Sequence, residues 1–162
     1  MSAPAFTIRP ATPEDVPAIL SLIQEHAAYE RMSHEVEATE GALAAHLFGV
    51  MPKAEVLIAE SAGQPVGYAL FFTNFSAFLA RPGIYLEDMF VRPEQRGQGI
   101  GKALLRRLAQ VVGERQGSRL EWSVLKGNDL AITFYDRLEA REMAGLSVYR
   151  LDGAPLTQLA AD

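Results

Sequence analysis

Residues 84–102, IYLEDMFVRPEQRGQGIGK, decide the fold of this chain. The first eight of them, Ile84 to Val91, are mostly apolar and predict a strand with two acids, Glu87 and Asp88, in its middle. Downstream, apolar residues recur at helical spacing, at Ile100, Leu104, Leu108 and Val111. The stretch therefore predicts a strand, a glycine-rich loop and an amphipathic helix that stops at the glycines within residues 113–117.

The loop between this strand and this helix is the candidate anion site. Its residues are Arg96, Gly97, Gln98, Gly99, Ile100, Gly101 and Lys102. The first amide N–H groups of a helix have no intrahelical acceptor, and the positive end of the helix dipole favours an anion. Three alternating glycines let the backbone approach a ligand closely. The loop thus predicts a pyrophosphate site, with Arg96 and Lys102 adding positive charge.

Two other phosphate-binding motifs do not match these residues. A P-loop requires glycine at position 96 and Ser or Thr at position 103, where this chain has Arg96 and Ala103. A dinucleotide fingerprint requires GxGxxG, whereas residues 97–101 give GxGxG. The remaining alternative is a glycine-rich turn that only caps the helix.

The rest of the chain predicts an α/β fold, with a mixed sheet and helices on both faces. The element order is β-αα-βββ-α-β-α-β. The flanking strands are expected near residues 6–9, 55–60, 66–73, 119–125 and 147–151. The flanking helices are expected to end near Tyr29, to span 39–48 and to span 128–138, and residues 74–83 are expected to be a loop. Apolar spacing at Val16, Ile19, Leu20, Ile23 and Ala27 marks the inner face of the first helix.

Length and charge limit the classes of function. With 162 residues, 49% of them apolar, the chain is expected to form a single domain over residues 1–162. The net charge is −5, and 15 Lys and Arg are mixed with 20 Asp and Glu, which argues against nucleic acid and leaves a cationic small molecule plausible. The start, MSAPAFTIRP, has no signal-peptide pattern, and no apolar run is long enough for a membrane span. We therefore expect a cytoplasmic protein.

Cysteine and histidine usage argues against metal and thiol chemistry. The chain has no cysteine, which excludes disulfides, thiolate nucleophiles and Cys-based zinc sites. Its three histidines, His26, His34 and His46, are too widely spaced for an HExxH-type site. We expect no metal, and we interpret the histidines as helix-surface or half-buried residues.

Arg96 to Gly101 matches the (Q/R)xxGxG/A acyl-CoA signature, and the chain resembles the GCN5-related N-acetyltransferase (GNAT) superfamily in this motif and in element order. Within it, the chain is similar to the diamine (spermidine/spermine) acetyltransferases and to thialysine acetyltransferase. The matching residues are 6–12, Tyr29-Glu30, 85–88 with 90–91, 96–101, Asn128 and Phe134-Tyr135. The resemblance implies a GNAT fold, acetyl-CoA as cosubstrate, and transfer of acetyl to an amine by direct attack in a ternary complex.

The chemistry and the resemblance together assign roles to individual residues. An alkylammonium ion has a pKa of about 10.4 and must lose a proton before it attacks a thioester, and Glu87 is the candidate base, directly or through water. Asp88 is expected to point to the opposite face and to pair with an arginine. The resemblance places the acid for the leaving sulfur on Tyr135, with a main-chain donor and pantetheine pairing at Phe90 and Val91. Asn128 resembles a CoA-contacting asparagine and is also a candidate N-cap.

The acceptor pocket is expected from the first helices, the loop 74–83 and Glu87, with Tyr29 and Glu30 matching a family pair near the substrate. Three more acids are candidates for a solvated face or an acidic mouth, namely Glu25, Glu35 and Glu37. The loop segment 74–79 has no acid, unlike that of the polyamine enzymes, and is closer to the thialysine branch.

The alternatives to a small-molecule acetyltransferase are a protein or peptide acetyltransferase and a non-catalytic CoA-binding module. The apolar tail 156–161 and the family habit suggest a homodimer, although a terminal helix packed on its own domain also explains the tail.

Overall fold

A computed structural model describes residues 6–161 of the chain. These residues form two compact units, one up to Ser123 and one from Val124 onward, which are described separately below. The expected single domain also includes residues 1–5 and 162, which lie outside the described residues. Within the described part of the chain, no helix has both the length and the apolar character needed to cross a membrane.

The first unit contains five strands and three α-helices. The strands are β1 (Thr7–Pro10), β2 (Glu55–Ser61), β3 (Gln64–Ser76), β4 (Arg81–Val91) and β5 (Leu120–Trp122). The helices are α1 (Val16–Tyr29), α2 (Glu40–Phe48) and α3 (Ile100–Glu114), and short 3₁₀ turns lie at Pro13–Asp15, Ser33–Glu35 and Pro93–Gln95. The strands form one sheet in the order β1-β2-β3-β4-β5, antiparallel except for the parallel pair β4 and β5. The predicted α/β fold with a mixed sheet is confirmed.

Helices α1 and α2 cover one face of the sheet. Ile19 and Leu22 of α1 are fully buried and pack with Leu47 of α2 in one apolar cluster. The cluster continues through inward side chains of β2, β3 and β4, namely Val56, Ile58, Tyr68 and Phe90. Of the residues that the spacing placed on the inner face of α1, Val16 and Ile19 are buried and Ile23 packs against the cluster. Leu22 is also fully buried, and the spacing had not included it.

Helix α3 packs on the sheet residues that the first cluster does not use. Leu57 and Ala59 alternate with Val56 and Ile58 and are equally buried, so β2 has apolar contacts on both faces. The buried residues of α3 are those expected from helical spacing, namely Ile100, Leu104, Leu105, Leu108 and Val111. The two faces of the sheet therefore bury separate sets of apolar residues, and α3 covers the set that α1 and α2 do not contact.

The β3–β4 hairpin replaces most of the predicted loop 74–83. Cross-strand pairing continues from Asn74↔Gly83 to Ser76↔Arg81, so only residues 77–80 form the turn. The Ser76 side-chain oxygen accepts a hydrogen bond from the Leu79 N–H at 3.3 Å, and Ala80 adopts a positive φ of 49°. Asn, Pro and Gly are turn residues in isolation, but the ladder overrides that preference because every paired residue gains backbone hydrogen bonds.

A β-bulge interrupts β4 in its middle. On β3, the consecutive residues Leu70 and Phe71 face Asp88 and Leu86 respectively, so Glu87 is an extra residue without a partner in the register. Regular alternation had predicted that Glu87 and Asp88 point to opposite faces. The bulge changes the relation between Leu86 and Asp88, which would share a face in a regular strand and here face neighbouring residues of β3.

The second unit contains α4 (Asp129–Asp136) and α5 (Gly153–Ala161). The helix expected over 128–138 is present. The strand expected at 147–151 is not, and that expectation was wrong: these residues have no regular secondary structure, and Val148 and Tyr149 are 89% and 93% exposed. Alternating residues form a strand only when a neighbouring strand accepts their hydrogen bonds, and β5, expected over 119–125, has only three residues.

Candidate active site

Two glycines shape the loop that precedes α3. Gly97 and Gly99 have φ values of 77° and 87°, in the left-handed region that other residues adopt only at a cost. Gly99 is the N-cap of α3, and its carbonyl oxygen accepts the Ala103 N–H at 2.9 Å. No heavy atom lies within 4 Å of a Cβ built at Gly97 or Gly99, so the backbone edge here is accessible to a ligand.

Arg96 connects this loop to the end of β4 and to the end of α1. Its Nε donates a hydrogen bond to the Val91 carbonyl oxygen at 2.9 Å. Its guanidinium carbon lies 4.3 Å from the centre of the Tyr29 ring and 5.6 Å from that of Phe90. A guanidinium in this position gains cation–π attraction and remains charged. Lys102, in the first turn of α3, is exposed.

The second half of β4 is paired on one side only. The parallel ladder between β4 and β5 runs from Ile84↔Leu120 to Leu86↔Trp122 and ends there. Residues 88–91 keep their partners on β3. Among the described strands, none therefore pairs with residues 87–91 on the side of β5. An unpaired strand edge offers main-chain donors and acceptors to an extended ligand.

The two acids of β4 have different surroundings. Glu87, in the bulge, is exposed, whereas Asp88 is half-buried. Partial burial raises the pKa of the Asp88 carboxyl, charged His26 lowers it, and the carboxylate of Glu30 raises it. Asp88 Oδ1 lies 3.8 Å from His26 Nδ1. The expectation that an arginine neutralises Asp88 was wrong, because the bulge turns this carboxylate toward α1.

His26 is the centre of a polar cluster that the sequence analysis missed. Its Nε2 lies 3.3 Å from Glu30 Oε1, its Nδ1 lies 3.2 Å from the hydroxyl oxygen of Tyr68, and its ring stacks on Phe90 with 5.3 Å between centroids. Tyr68 is fully buried, and burial raises the pKa of its hydroxyl. The helical spacing could have indicated that His26 faces inward, since it lies seven residues after Ile19 on the buried face of α1.

The structure brings several predicted acceptor residues together and separates others. Tyr29, Glu30 and Phe90 lie around His26 and Arg96. Glu25 instead forms a two-point ion pair with Arg92 at 2.8 Å, which lowers the pKa of that carboxyl. Glu35 lies beside exposed His34, and Glu37 is exposed. Because Glu25 is paired with Arg92, it adds little negative charge at the entrance of an acceptor pocket.

The second unit contains the other two predicted residues. The Asn128 side-chain oxygen accepts the Ala131 N–H at 3.2 Å, which confirms that Asn128 is the N-cap of α4. Tyr135 is half-buried, and its ring packs on Phe134 with 5.4 Å between centroids. Within residues 6–161, no group of three His, Cys, Asp or Glu side chains is arranged to hold a metal ion.

Comparison with known proteins gives the family. The model of the "Acetyltransferase (GNAT) family" matches residues 18–139. The chain is 38% identical to thialysine N-epsilon-acetyltransferase of Bos taurus, over 94% of this chain and 96% of that protein. It is 31% identical to L-ornithine N5-acetyltransferase of Arabidopsis thaliana, over 92% of this chain and 85% of that protein.

A solved structure supports the same conclusion. An integron cassette protein from V. cholerae superposes with a TM-score of 0.82 at 25% identity, covering 98% of this chain and 99% of that one. Members of the GNAT family transfer acetyl groups from acetyl-CoA, and the glycine loop, the bulged strand and α3 occupy one region of the first unit. The chain belongs to the GNAT acetyltransferase family and is an acetyl-transfer enzyme.

Proposed function

We propose that this enzyme transfers acetyl from acetyl-CoA to the side-chain amine of a small lysine-like amino acid, with diamines as the alternative acceptors. The observation that carries the proposal is the identity of 38% over almost the whole chain with an enzyme named for the Nε of thialysine. The second relative is named for the N5 of ornithine. Both names specify the terminal amine of a diamino acid, so the shared chemical feature is a primary amine on a short, positively charged chain.

The loop and the unpaired edge of β4 fit acetyl-CoA. The amides at 97–102 are proposed to bind the pyrophosphate, supported by the two left-handed glycines and by the positive end of α3. At Phe90 and Val91, no strand among residues 6–161 pairs with β4 on the side of β5, which suits main-chain pairing with the pantetheine arm. Asn128 is proposed as a further contact in addition to its capping role. Acetyl-CoA supplies an acetyl group activated as a thioester.

The chain's own groups move the protons. Glu87 is proposed to accept, directly or through water, the proton that the acceptor ammonium must lose, and its position in an exposed bulge supports access to the amine. A main-chain N–H near Phe90 is proposed to stabilise the oxygen that becomes negative. The Tyr135 hydroxyl is proposed to protonate the leaving sulfur. Tyr29 and Glu30 are proposed to orient the acceptor, and the acids at 30, 87 and 88 favour a cationic amine.

A thiol-release assay with an acceptor panel tests the proposal. The panel contains thialysine, ornithine, lysine, a diamine, spermidine and short peptides with free N-termini. We expect the highest kcat/KM with thialysine or ornithine. Turnover of peptides alone would show that the protein is instead a peptide acetyltransferase. Binding of acetyl-CoA without turnover of any amine would identify a non-catalytic CoA-binding module.

We further infer a single domain over residues 1–162, a cytoplasmic location and a homodimer. The first is supported by the family match, which continues from the first unit into the second. The absence of cysteine is in keeping with a reducing compartment. Exposed Leu156 and Leu159 on α5 support a second copy as partner, and sedimentation velocity measures the oligomeric state.

A further inference from the structure

The His26 imidazole has two alternative arrangements of hydrogen bonds. Nε2 lies beside the Glu30 carboxylate, and an N–H at Nε2 donates to it in both arrangements. Nδ1 has two neighbours, the Tyr68 hydroxyl at 3.2 Å and the Asp88 carboxylate at 3.8 Å. When His26 is neutral, Nδ1 accepts the Tyr68 O–H. When His26 is protonated, Nδ1 becomes a donor and faces the negative charge of Asp88.

Considered alone, the Tyr68 hydroxyl favours the arrangement in which His26 is neutral. Its side chain is fully buried, and burial raises the pKa of the hydroxyl, so the group remains an O–H donor. A buried hydroxyl without an acceptor is costly, and neutral Nδ1 supplies that acceptor. Protonation of His26 removes this acceptor, and the positive charge gained beside Asp88 and Glu30 offsets the loss.

The charged groups around His26 come from every element packed against it. Glu30 belongs to the end of α1, Tyr68 to β3 and Asp88 to β4. Phe90 stacks on His26, and the guanidinium carbon of Arg96 lies 5.6 Å from the centre of the Phe90 ring. Arg92 is paired with Glu25. Protonated His26 is therefore the cation that faces both Asp88 and Glu30.

We propose that His26 is an internal counter-ion of Asp88, and that a protonated amine binding at Asp88 displaces one proton from His26 to solvent. This inference rests on the proposed amine acceptor. The ammonium keeps its three protons, the imidazolium loses one, and the charge beside the two carboxylates is unchanged. The proton that leaves is the one on Nδ1, the nitrogen that faces Asp88, because Nε2 keeps its N–H toward Glu30 in both arrangements.

The exchange gives amine binding a defined dependence on pH. Protons and the amine compete for the position beside Asp88. Where His26 is protonated before binding, each unit of falling pH weakens apparent amine binding by up to about tenfold, because one proton must leave for each amine bound. Where His26 is already neutral, the site is free of the competing cation, and binding does not change with pH until the amine itself titrates.

Calorimetry measures the displaced proton directly. Thialysine is titrated into the full-length protein in two buffers of different ionisation enthalpy, at about pH 6 and about pH 8. We expect a larger proton release per amine at the lower pH, with one proton as its upper limit, than at the higher pH. His26→Gln should abolish the release, whereas His34→Gln, which removes an exposed histidine that also lies beside a glutamate, should retain it. Binding without proton release in the unsubstituted protein, or equal release in His26→Gln, overturns the proposal.

Ring ¹⁵N spectra of His26 test the same pair without any ligand or acetyl-CoA. At about pH 6, we expect a larger neutral fraction of His26 in Asp88→Asn than in the unsubstituted protein, because the facing charge is gone. An unchanged fraction contradicts the counter-ion role. Failure of every amine to bind or react would remove the proposed function, and these spectra would still decide the His26–Asp88 relationship. His26→Gln and Asp88→Asn are used in separate experiments, so if one variant does not fold, the other still decides the proposal.

Discussion

Leu86 and Asp88 are two residues apart on one strand, and yet they point to opposite faces of the sheet. Their partners on β3 are the neighbours Phe71 and Leu70, and Glu87 is the extra residue between them. The bulge therefore places one acid in solvent and turns the next toward His26. In a regular strand Leu86 and Asp88 would share a face, and Asp88 would then not lie beside His26 on the face opposite Leu86.

Substitution of Glu87 tests its assignment as the proton acceptor. Glu87→Gln should lower kcat about 100-fold or more near neutral pH, because the amine keeps its proton. The ratio of kcat in the unsubstituted protein to kcat in Glu87→Gln should fall by up to about tenfold per pH unit toward pH 10, since a growing fraction of the amine is already neutral. The pH profile of kcat/KM measures both effects. Glu40→Gln, in the exposed first turn of α2, is the matched control and should match the unsubstituted protein.

Asp88→Asn separates the two acids of the bulge. If Glu87 is the base and Asp88 attracts the ammonium, Asp88→Asn should raise KM for the amine about tenfold and change kcat little. A greater loss of kcat in Asp88→Asn than in Glu87→Gln would transfer the role of base to Asp88. Initial rates over a range of amine concentrations distinguish the two outcomes.

Tyr135→Phe should reduce turnover without loss of cofactor. The substitution removes only a hydroxyl, so kcat should fall about tenfold or more while the affinity for acetyl-CoA stays nearly unchanged. Steady-state kinetics and calorimetry with acetyl-CoA measure the two quantities. Tyr149→Phe is the control, since Tyr149 is 93% exposed. An unaltered kcat in Tyr135→Phe would remove this residue from the mechanism.

Two glycines of α3 should respond in opposite ways to alanine. Gly99→Ala places a Cβ on a residue with φ of 87°, which should cost about 1–2 kcal/mol in the free energy of unfolding and weaken acetyl-CoA binding. Gly113→Ala lies in the same helix with no close neighbour and should stabilise by about 0.5 kcal/mol without affecting binding. Urea unfolding and calorimetry test both variants. Equal cofactor affinity in Gly99→Ala would contradict the role of the loop.

The Arg9–Asp15 ion pair predicts a loss of stability in acid. The Arg9 guanidinium lowers the pKa of Asp15 from its ordinary 3.8 to about 2, and Asp15 also accepts the Thr12 N–H at 2.8 Å. Because this pKa is depressed in the folded state, the contribution of about 2 kcal/mol is present above pH 4 and lost between about pH 4 and pH 2. Asp15→Asn should remove this contribution at neutral pH.

Urea unfolding at about pH 7 and about pH 3 checks the Asp15 prediction. The difference in unfolding free energy between the Asp15→Asn variant and the unsubstituted protein should shrink at the lower pH. Glu37→Gln, at an exposed position, should change stability by less than about 0.5 kcal/mol at both values. A difference that is the same at both pH values would show that the carboxylate charge is not responsible.

Local patterns predicted the helices and the glycine loop well. The apolar spacing of α3 is long and regular, and its buried residues are those expected. The bulge at Glu87 and the extended hairpin at 74–83 depend on pairing with β3, which no local pattern contains. The strand expected at 147–151 is absent because a strand needs a partner for its hydrogen bonds, and alternation in the sequence does not reveal whether a partner is available. His26 was expected to be a helix-surface or half-buried residue, and it is half-buried. Its contacts could not be predicted, because Tyr68 and Asp88 lie more than 40 residues away along the chain.

The contacts that hold the Arg96 side chain have a consequence for engineering this enzyme. One flat side chain is held by the Val91 carbonyl oxygen and by the Tyr29 ring. A chimera that imports the end of α1 from a relative therefore also changes the support of the glycine loop, unless position 29 keeps an aromatic ring. Libraries aimed at new acceptors should vary positions 29 and 96 as a pair, because changing either one removes the cation–π contact between them.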